Sequence, residues 1–383
     1  MKLRVVVVFG GESVEHEISI LSAHQVMEEM NPYLYEVIPL YLSKDGKMYH
    51  DITLCSLETF EEMEKIPGYC SEVTLIHRNQ HFYIIPVKHS LFAKEKEFDI
   101  VFPILHGTHG EDGSFQGFLS TLKIPYVGPR VLGGAIGQDK IIMKQVLEDS
   151  ALPIVPWYYW TLSKPLDDSF FRKAERLGYP LVVKPANLGS SIGISITHNE
   201  VELHKAMIEA YQYDRRVIIE KVVENLREIN CSILGDEVEC IASVLEEVKK
   251  QDDILSYKDK YIGVDASKGM QNAPRKIPAD LEEDLTLEIQ ELAKETFKTL
   301  CGSGVSRIDF LMNDESKDLY INEINTIPGS LSFYLWQKSG IPFPELITRL
   351  LDMAIKQYAR DQKQIYSYPT NILTMKHQGM KAK

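Results

Sequence analysis

The chain has 383 residues, of which 44% are apolar and 25% charged, with 23 glycines and 18 prolines. This balance is typical of a globular protein with a large core, and it excludes a disordered chain, a collagen and a disulfide-stabilised miniprotein. The formal charge of -13 opposes binding to nucleic acid. At this length we expect two or three domains with a catalytic cleft between them.

Neither a membrane span nor a signal peptide is predicted. No stretch approaches the roughly 18 to 20 apolar residues that a span requires. The apolar run at 5–9 is too short for a signal-peptide core and lacks a cleavage site. We therefore expect a cytoplasmic protein without a membrane partner. Its five scattered cysteines contain no C-x-x-C pair and are interpreted as reduced structural thiols.

The first part of the chain begins like an open α/β sheet. Residues 3–9 form a continuous apolar run typical of a strand buried on both faces, and Gly10–Gly11 predict a turn into a helix. The predicted apolar face of that helix consists of Val14, Ile18 and Leu21. Residues 44–95 are less regular, with short strand candidates such as 82–87 and no chemistry that we can assign.

A second buried strand, 98–105, leads into the loop HGTHGEDGSFQG at 106–117, which is rich in glycine. Glycine permits unusual backbone angles and the close approach of a ligand. The short strand IPYVG follows, and the first domain is expected to close at 128. Ligands of open parallel sheets gather at the carboxyl ends of the strands, where both glycine-rich loops emerge.

From residue 129 the pattern changes to a small α+β domain. A helix is predicted over 138–150, and strands are predicted over 157–161, 181–184 and 217–220. We expect a central domain at 129–220 and a C-terminal domain at 221–383, with a loosely held polar tail after residue 359.

Two acid-containing segments, SRIDF at 306–310 and LYINEIN at 319–325, are joined by a turn-rich connector and predict a β-hairpin. Because strand side chains alternate, Arg307 and Asp309 share one face, as do Glu323 and Asn325. Such oxygen ligands suit magnesium that carries nucleotide phosphates, and the arginine would face charge that develops during phosphoryl or acyl transfer. The alternative from this pattern alone is a surface hairpin with solvated charges.

The segment LVVKPANLGSSIGIS combines a strand ending in Lys184 with a glycine- and serine-rich loop. Backbone amides and hydroxyls in such a loop suit phosphate oxygens, and lysine supplies a compact positive charge. It is not a P-loop, because G-x-x-x-x-G-K-[ST] is absent. Lys140 is a candidate for a second phosphate lysine, or else a solvated side chain.

The order of FGGESVEHEISILSA, HGTHGEDGSFQG, IPYVG, DK, VVKPANLGSSIG, REI, SYKDKY, RIDF and NEINTIPG resembles the D-alanine:D-alanine ligases of the ATP-grasp superfamily. The resemblance covers residues 5 to 350. It implies an ATP-grasp fold, in which an N-terminal open parallel-sheet domain precedes two α+β subdomains and the second of these carries a lid at 250–273. The family's members are usually homodimers.

The resemblance also implies where ATP binds. Lys140 and Lys184 would contact its phosphates, and the glycine-serine loop would close over the γ-phosphate. The remaining nucleotide-binding residues would be Ser191, Glu220 with Lys221 to Val223 at the adenine, Glu228 at the ribose, and Lys260. Asp309, Glu323 and Asn325 would hold two Mg²⁺ ions, with Mn²⁺ as a substitute.

For catalysis, the resemblance implies that Arg307 and the backbone amide of Gly329 stabilise a tetrahedral oxyanion. Glu15 would accept the ammonium group of the first D-alanine and would be linked by hydrogen bonds to Ser190 and to Tyr261 of the lid. His106 resembles the family's histidine near that first substrate.

The pocket for the second substrate departs from the family pattern. Tyr261 matches the tyrosine of ligases that use an amine, and Lys260 would face the carboxylate of the second substrate. However, the chain reads NTIPGSLSFYLWQKSG, so that Tyr334 and Leu335 stand where the family has a serine and a leucine. Ser330 or Ser332 is the candidate substitute for that serine.

We therefore expect an ATP-dependent ligase that joins two D-alanines for peptidoglycan. A ligase with D-serine or D-lactate as second substrate is the nearest alternative. A different ATP-grasp carboxylate-amine ligase or carboxylase is disfavoured by Glu15 and His106. A non-enzymatic nucleotide-binding regulator is disfavoured because it would lack a catalytic group, whereas all the groups named above are present.

Overall fold

The computed structural model of the protein describes residues 2–88, 94–189, 192–248 and 275–369. These residues form three β-sheets, of seven, four and five strands. The strands are β1 Leu3–Gly10, β2 Tyr35–Leu42, β3 Met48–His50, β4 Ser71–Arg78, β5 His81–Pro86, β6 Lys96–Phe98, β7 Ile100–Pro103, β8 Trp157–Thr161, β9 Leu181–Pro185, β10 Ser195–Thr197, β11 Arg216–Lys221, β12 Leu226–Gly235, β13 Cys240–Val248, β14 Arg275–Lys276, β15 Gly304–Asn313 and β16 Leu319–Asn325.

The helices are α1 His16–Glu29, α2 Ile66–Tyr69, α3 Ser114–Thr121, α4 Val131–Gln138, α5 Lys140–Asp149, α6 Asp168–Leu177, α7 Glu200–Ala210, α8 Glu283–Thr299, α9 Phe333–Lys338 and α10 Phe343–Asp361. Short 3-10 helices span Ile52–Cys55, Leu57–Lys65 and Gly329–Ser332. None of the helices in the described ranges is both long enough and apolar enough to cross a membrane.

The seven-stranded sheet has the order β6-β5-β4-β3-β2-β1-β7. Its parallel part is β2-β1-β7, of which β1 and β7 correspond to the predicted strands at 3–9 and 98–105, whereas β2 was not predicted. The predicted strand IPYVG is wrong, because the segment forms only a single parallel bridge between Val101 and Tyr126. Strand β1 is buried from Val5 to Phe9 because it lies in the middle of the layers. The segment that looked irregular in the sequence supplies the antiparallel strands β3, β4 and β5. The first sheet is therefore mixed, with parallel strands only where the glycine-rich loops emerge.

Helix α1 does not bury the predicted apolar face. Val14 precedes the helix and is 45% exposed, and Ile18 and Leu21 are only partly buried. The buried side chains are His16, Ser19, Ile20, Ser22, Ala23, His24, Val26 and Met27. Several are polar because α1 packs against loop backbone, where Ser19 Oγ accepts a hydrogen bond from the Gly10 N–H at 2.8 Å.

The four-stranded sheet, β10-β9-β11-β8, and the five-stranded sheet, β14-β13-β12-β15-β16, are antiparallel. Helices α5 and α8 contribute Met143, Leu147, Ile289 and Phe297 to the core beneath the five-stranded sheet. The helix predicted over 138–150 is interrupted at Asp139, whose carboxylate caps the N-terminus of α5. The domain limits at 128 and 220 remain predictions.

The last helix returns to the first sheet. Leu346, Leu350 and Leu351 of α10 are buried in one cluster with Val5 and Val7 of β1. The predicted loosely held tail is wrong up to Asp361, because α10 extends that far and its last residue forms an ion pair with Arg130. The core of the first sheet is thus completed by the end of the chain.

Candidate active site

The β15–β16 hairpin brings the predicted ligands and arginine together, and its register confirms the predicted pairing. Arg307 lies opposite Asn325, and Asp309 lies opposite Glu323. Because successive side chains alternate between the two faces, the intervening Ile308 is completely buried in the core beneath the sheet. Four chemically useful groups therefore share the opposite face.

Arg307 and Asp309 form a bidentate ion pair, with N–O distances of 2.6 and 2.7 Å. The Asn325 amide also donates to Asp309, at 3.1 Å. Burial lowers the pKa of Arg307, but the Asp309 carboxylate raises it by more, so the guanidinium stays charged. For Asp309 the directions are reversed: burial raises the pKa of its carboxyl group, and the charge of Arg307 opposes that rise. Each group thus neutralises the other before any substrate arrives.

A polar row extends from this hairpin across the five-stranded sheet. Asn230 lies between Asp309 on one neighbouring strand and Glu246 on the other, and its amide donates to Glu246 Oε1 at 2.9 Å. Glu228, predicted at the ribose, is on the same face because it is two residues before Asn230. Its charge helps to raise the pKa of Lys184. Sequence analysis missed Asn230 and Glu246, because neither belongs to a motif.

Lys184, at the end of β9, belongs to a buried charge cluster. Its Nζ lies 2.6 Å from Glu220 Oε2 and 3.1 Å from Asn322 Oδ1. The other oxygen of Glu220 is 3.1 Å from Nζ of Lys144, a side chain with no exposed surface. Although burial raises the pKa of Glu220, Lys144 and Lys184 lower it to about 2. Burial lowers the pKa of Lys144 against the opposing charge of Glu220. Two lysines therefore share this one carboxylate.

The other predicted nucleotide residues lie around this cluster. Lys140 donates to the Leu188 carbonyl at 2.9 Å, and its Nζ is 3.7 Å from Glu323 of the hairpin. The Lys221 side chain instead donates to the carbonyls of Gly178 and Tyr179. Val223 is half-buried. The predicted adenine contacts of Glu220, Lys221 and Val223 remain predictions.

Glu15 lies where the first domain meets the glycine-serine loop. The residue is only 9% exposed. A Cβ built on Gly107 would lie 2.8 Å from Glu15 Oε2, and one built on Gly189 would lie 3.3 Å from the same atom. Glycine at 107 is therefore required by this close approach, and by its φ of 71°.

His106 is also buried beside the first domain's loops, and its Nε2 lies 3.2 Å from Ser22 Oγ. Burial lowers the pKa of His106, against the opposing effects of the Glu15 charge and of the Ile327 backbone. The imidazole is therefore neutral at physiological pH. The structure brings His106 close to Glu15, as the resemblance implies, while its contact with substrate remains a prediction.

A strained turn follows Gly329. Ser330, Leu331 and Ser332 have φ values of 51°, 54° and 50°, in the left-handed region that non-glycine residues avoid. Such backbone costs about 1 to 2 kcal/mol per residue. Sequence analysis missed the side chain that anchors this turn: Glu111 Oε1 accepts a hydrogen bond from the Ile327 N–H at 2.9 Å. Its place in a glycine-rich loop was the one available signal.

Tyr334 and Leu335 differ in what they present. The Tyr334 hydroxyl donates to Glu246 Oε1 at 3.0 Å, and the Arg275 guanidinium lies 5.1 Å from the centre of its ring. Leu335 has no exposed surface, so its side chain offers nothing to a substrate. Ser332 Oγ is buried without a partner in the described part of the chain. Arg275 was not predicted, because it follows the lid outside any motif.

Ser190, Ser191, Lys260 and Tyr261 lie outside the described residues, as does the lid at 250–273. Within the ranges that are described, no group of three His, Cys, Asp or Glu side chains is arranged to hold a metal ion. The predicted magnesium ligands are two carboxylates and one amide, Asp309, Glu323 and Asn325.

Comparisons with known proteins identify the family of this chain. The family model described as D-ala D-ala ligase N-terminus matches residues 4–129, and the one described as D-ala D-ala ligase C-terminus matches residues 146–352. A D-alanine–D-alanine ligase from Thermosipho melanesiensis is 39% identical, over 98% of this chain and 99% of its own.

Two solved structures show the same fold. One is the D-alanine–D-alanine ligase from Coxiella burnetii, with a TM-score of 0.80 and 30% identity over 94% of this chain and 96% of that one. The other is the D-Ala:D-Ser ligase VanG from Enterococcus faecalis, with a TM-score of 0.76 and 28% identity over 94% and 100%.

The fold and the site define an ATP-dependent ligase with the ATP-grasp architecture, as the sequence predicted. The chain belongs to the D-alanine–D-alanine ligase family.

Proposed function

We propose that the chain joins two D-alanine molecules, with ATP, to form D-alanyl-D-alanine for peptidoglycan. One observation carries this proposal: the hairpin with Arg307, Asp309, Glu323 and Asn325 adjoins two lysines. Nζ of Lys140 lies 3.7 Å from Glu323, and Nζ of Lys184 lies 3.1 Å from Asn322 Oδ1. This arrangement suits the transfer of a phosphoryl group from a nucleotide to a carboxylate.

The reaction has two steps. A carboxylate oxygen of the first D-alanine attacks the γ-phosphorus of ATP, the bond to the β-phosphate oxygen breaks, and ADP and an acyl phosphate result. The neutral amine of the second D-alanine then attacks the acyl carbon. Phosphate leaves with the electron pair of the C–O bond, the nitrogen loses one proton, and the dipeptide forms.

At the nucleotide, Lys140 and Lys184 would bind the phosphates, because Lys184 shares the single carboxylate of Glu220 with Lys144 and so keeps charge to offer to an anion. The adenine would lie near Glu220 and the segment Lys221 to Val223, and the ribose near Glu228. Ser191 and Lys260 complete the proposed nucleotide site.

The hairpin fits Mg²⁺, or Mn²⁺, because Asp309, Glu323 and Asn325 offer only oxygen-bearing side chains at neighbouring register positions. When bound, the ions would neutralise phosphate charge. Arg307 and the Gly329 amide would stabilise the oxyanion of the second step. Glu15 would accept the first ammonium, together with Ser190 and Tyr261, and His106 would lie beside that substrate.

D-Alanine is the favoured second substrate, because the curated relatives that match nearly the whole chain at 37–39% identity are named D-alanine–D-alanine ligases. The alternative acceptors, D-serine and D-lactate, have less support. Tyr334 would replace the family's serine in the acceptor pocket, whereas Leu335 would take the position of the family's leucine without contacting the substrate, because it has no exposed surface. We further propose that the enzyme is a cytoplasmic homodimer, because it consumes ATP and its family is usually dimeric.

The test is phosphate release from ATP and Mg²⁺ with D-alanine, L-alanine, D-serine and D-lactate, each alone and in pairs, with mass detection of the product. Turnover with D-alanine alone that yields the dipeptide is the expected result. A product formed only in the mixture of D-alanine with D-serine or D-lactate would contradict the proposed acceptor. No turnover with any pair would contradict the ligase itself.

A further inference from the structure

Two side chains of the first domain hold the turn that contains Gly329. Glu111, in the loop before α3, accepts a hydrogen bond from the Ile327 N–H at 2.9 Å. Ser22, in α1, accepts one from the Ser330 N–H at 3.0 Å. The two bonds join residues that are 216 and 308 positions apart in the chain. The turn is therefore anchored to the first domain on both sides of Gly329.

The anchoring leaves one amide of this turn available. The N–H groups of Ile327 and Ser330 are engaged, and Pro328 has no N–H to donate. The amide of Gly329 is the remaining donor in these four residues. A backbone held in the left-handed region from Ser330 onward keeps its geometry only when neighbouring groups fix it.

Each anchor is itself fixed by a second contact. The other oxygen of Glu111 accepts from the Gly107 N–H at 2.8 Å, so both carboxylate oxygens are used. Ser22 is 2% exposed, and its hydroxyl lies 3.2 Å from His106 Nε2. Because the imidazole is neutral, the Ser22 hydroxyl can donate to it while accepting from Ser330. Glu111 and Ser22 are thus both held by contacts with the glycine-rich loop at 106–117.

We propose that Glu111 and Ser22 are positioning residues, which fix the Gly329 amide for the oxyanion from the first domain. The proposal rests on the proposed function, because it requires the Gly329 amide to act in the second step. It also gives the first domain a part in catalysis besides substrate binding. A displacement of about 1 Å at such a donor can reduce turnover by about 100-fold.

The test compares Glu111→Gln and Ser22→Ala with the wild-type enzyme. Glutamine has one acceptor oxygen where glutamate has two, so it can satisfy only one of the two N–H groups. The matched control is Asp112→Asn, because Asp112 accepts only from His109 and Ser114 within its own loop. Melting temperatures identify a variant that fails to fold, and Ser22→Ala tests the same turn independently of Glu111.

We expect kcat to fall by about 10- to 100-fold in Glu111→Gln and by a smaller factor in Ser22→Ala, with KM for ATP changed less than about 2-fold. The affinity for a phosphinate analogue of the tetrahedral adduct should fall with kcat, because only interactions that strengthen in the transition state affect both. The control should retain wild-type kcat.

An unchanged kcat in both variants, with an active wild type, would overturn this inference and leave the proposed function standing. An equal rise in KM for ATP would also overturn it, because it would indicate general damage to the site. A wild-type enzyme that forms no D-alanyl-D-alanine would overturn the proposed function and this inference together.

Discussion

The nucleotide end and the acceptor end of the active site differ in how many cations pair with one carboxylate. At the nucleotide end, Lys144 and Lys184 share the single carboxylate of Glu220. At the acceptor end, Arg307 has Asp309 to itself in a bidentate pair. At one end two lysines therefore compete for one carboxylate, whereas at the other one guanidinium is matched by one carboxylate.

This difference matches the stage of the reaction at which each end meets negative charge on the substrates. A triphosphate is negative before the reaction starts, so an excess of positive charge favours its binding. The oxyanion exists only in the transition state, and a donor that is neutralised beforehand does not attract an anionic ground state in its place. The comparison predicts that variants at the nucleotide end change affinity and that variants at the acceptor end change turnover.

The largest effect is expected for Arg307→Ala. Loss of an oxyanion donor typically costs about 10² to 10³ in kcat, and the affinity for ADP should stay within about 2-fold. The measurement is steady-state kinetics together with calorimetric titration of ADP. Arg307→Lys is the matched control: it keeps the charge but loses the bidentate geometry, and it should recover only part of the activity. A parallel loss of ADP affinity would contradict the assigned role.

A smaller effect is expected for Lys144→Met, which tests the nucleotide end of the site. Without Lys144, Glu220 and Lys184 form a neutral pair, so the affinity for ADP and ATP should fall by about 10-fold while kcat changes little. Calorimetric titration measures the nucleotide affinity directly. Lys294→Met is the control, because Lys294 is a partly exposed lysine paired with Glu291 far from the nucleotide residues. Equal losses in both variants would argue against the charge explanation.

A still smaller effect is expected for Tyr334→Phe. The variant removes the hydroxyl that donates to Glu246 but keeps the ring beneath Arg275. The KM for the second D-alanine should rise by about 3- to 10-fold, with the KM for ATP unchanged. Kinetics over a wide range of D-alanine concentration separate the two amino-acid sites. A change in only the first D-alanine site would remove Tyr334 from the acceptor pocket.

The last prediction concerns stability and not kinetics: Glu111 faces another acid, Glu15, whereas Glu220 and Asp309 face cations. Burial, followed by the charge of Glu15, raises the pKa of Glu111 to about 8. His106 and Glu323 also face this region. Because the folded state holds the proton more tightly than the unfolded state, the stabilisation is complete below pH 4.5 and is lost as pH rises to about 8.

The difference in unfolding free energy between wild type and Glu111→Gln should therefore shift against the wild type by roughly 1 kcal/mol per pH unit between pH 5 and 8. Chemical denaturation at several pH values measures this slope. Identical slopes in the two proteins would show that Glu111 titrates normally.

Local pattern predicted the acceptor end better than the nucleotide end. The alternation of SRIDF and LYINEIN was enough to predict a hairpin in which Arg307 and Asp309 share one face and Glu323 and Asn325 share one face, whereas the register that places Arg307 opposite Asn325 came from the structure. Lys144 and Glu220 are brought together by packing between α5 and β11, which no local signal encodes. The family resemblance, not the composition, supplied the reaction.

The first sheet shows the same limit. Its strands β1 and β7 were predicted from apolar runs, and β5 was among the short strand candidates at 82–87. The strands β2, β3 and β4 were not predicted, and β3 and β4 are partly exposed. The buried face of α1 was predicted wrongly, since its serines and histidines serve the loops that they contact. Hydrophobic spacing therefore does not predict which side chains are buried when polar side chains are buried through hydrogen bonds to a loop or a site.

Because α10 packs against the first sheet, the core of that sheet cannot be completed in the order in which the chain is synthesised. Val5 and Val7 leave the ribosome more than 300 residues before the leucines that cover them. The apolar face of the first sheet therefore stays uncovered until those leucines have been synthesised, and it must be protected from aggregation during that interval.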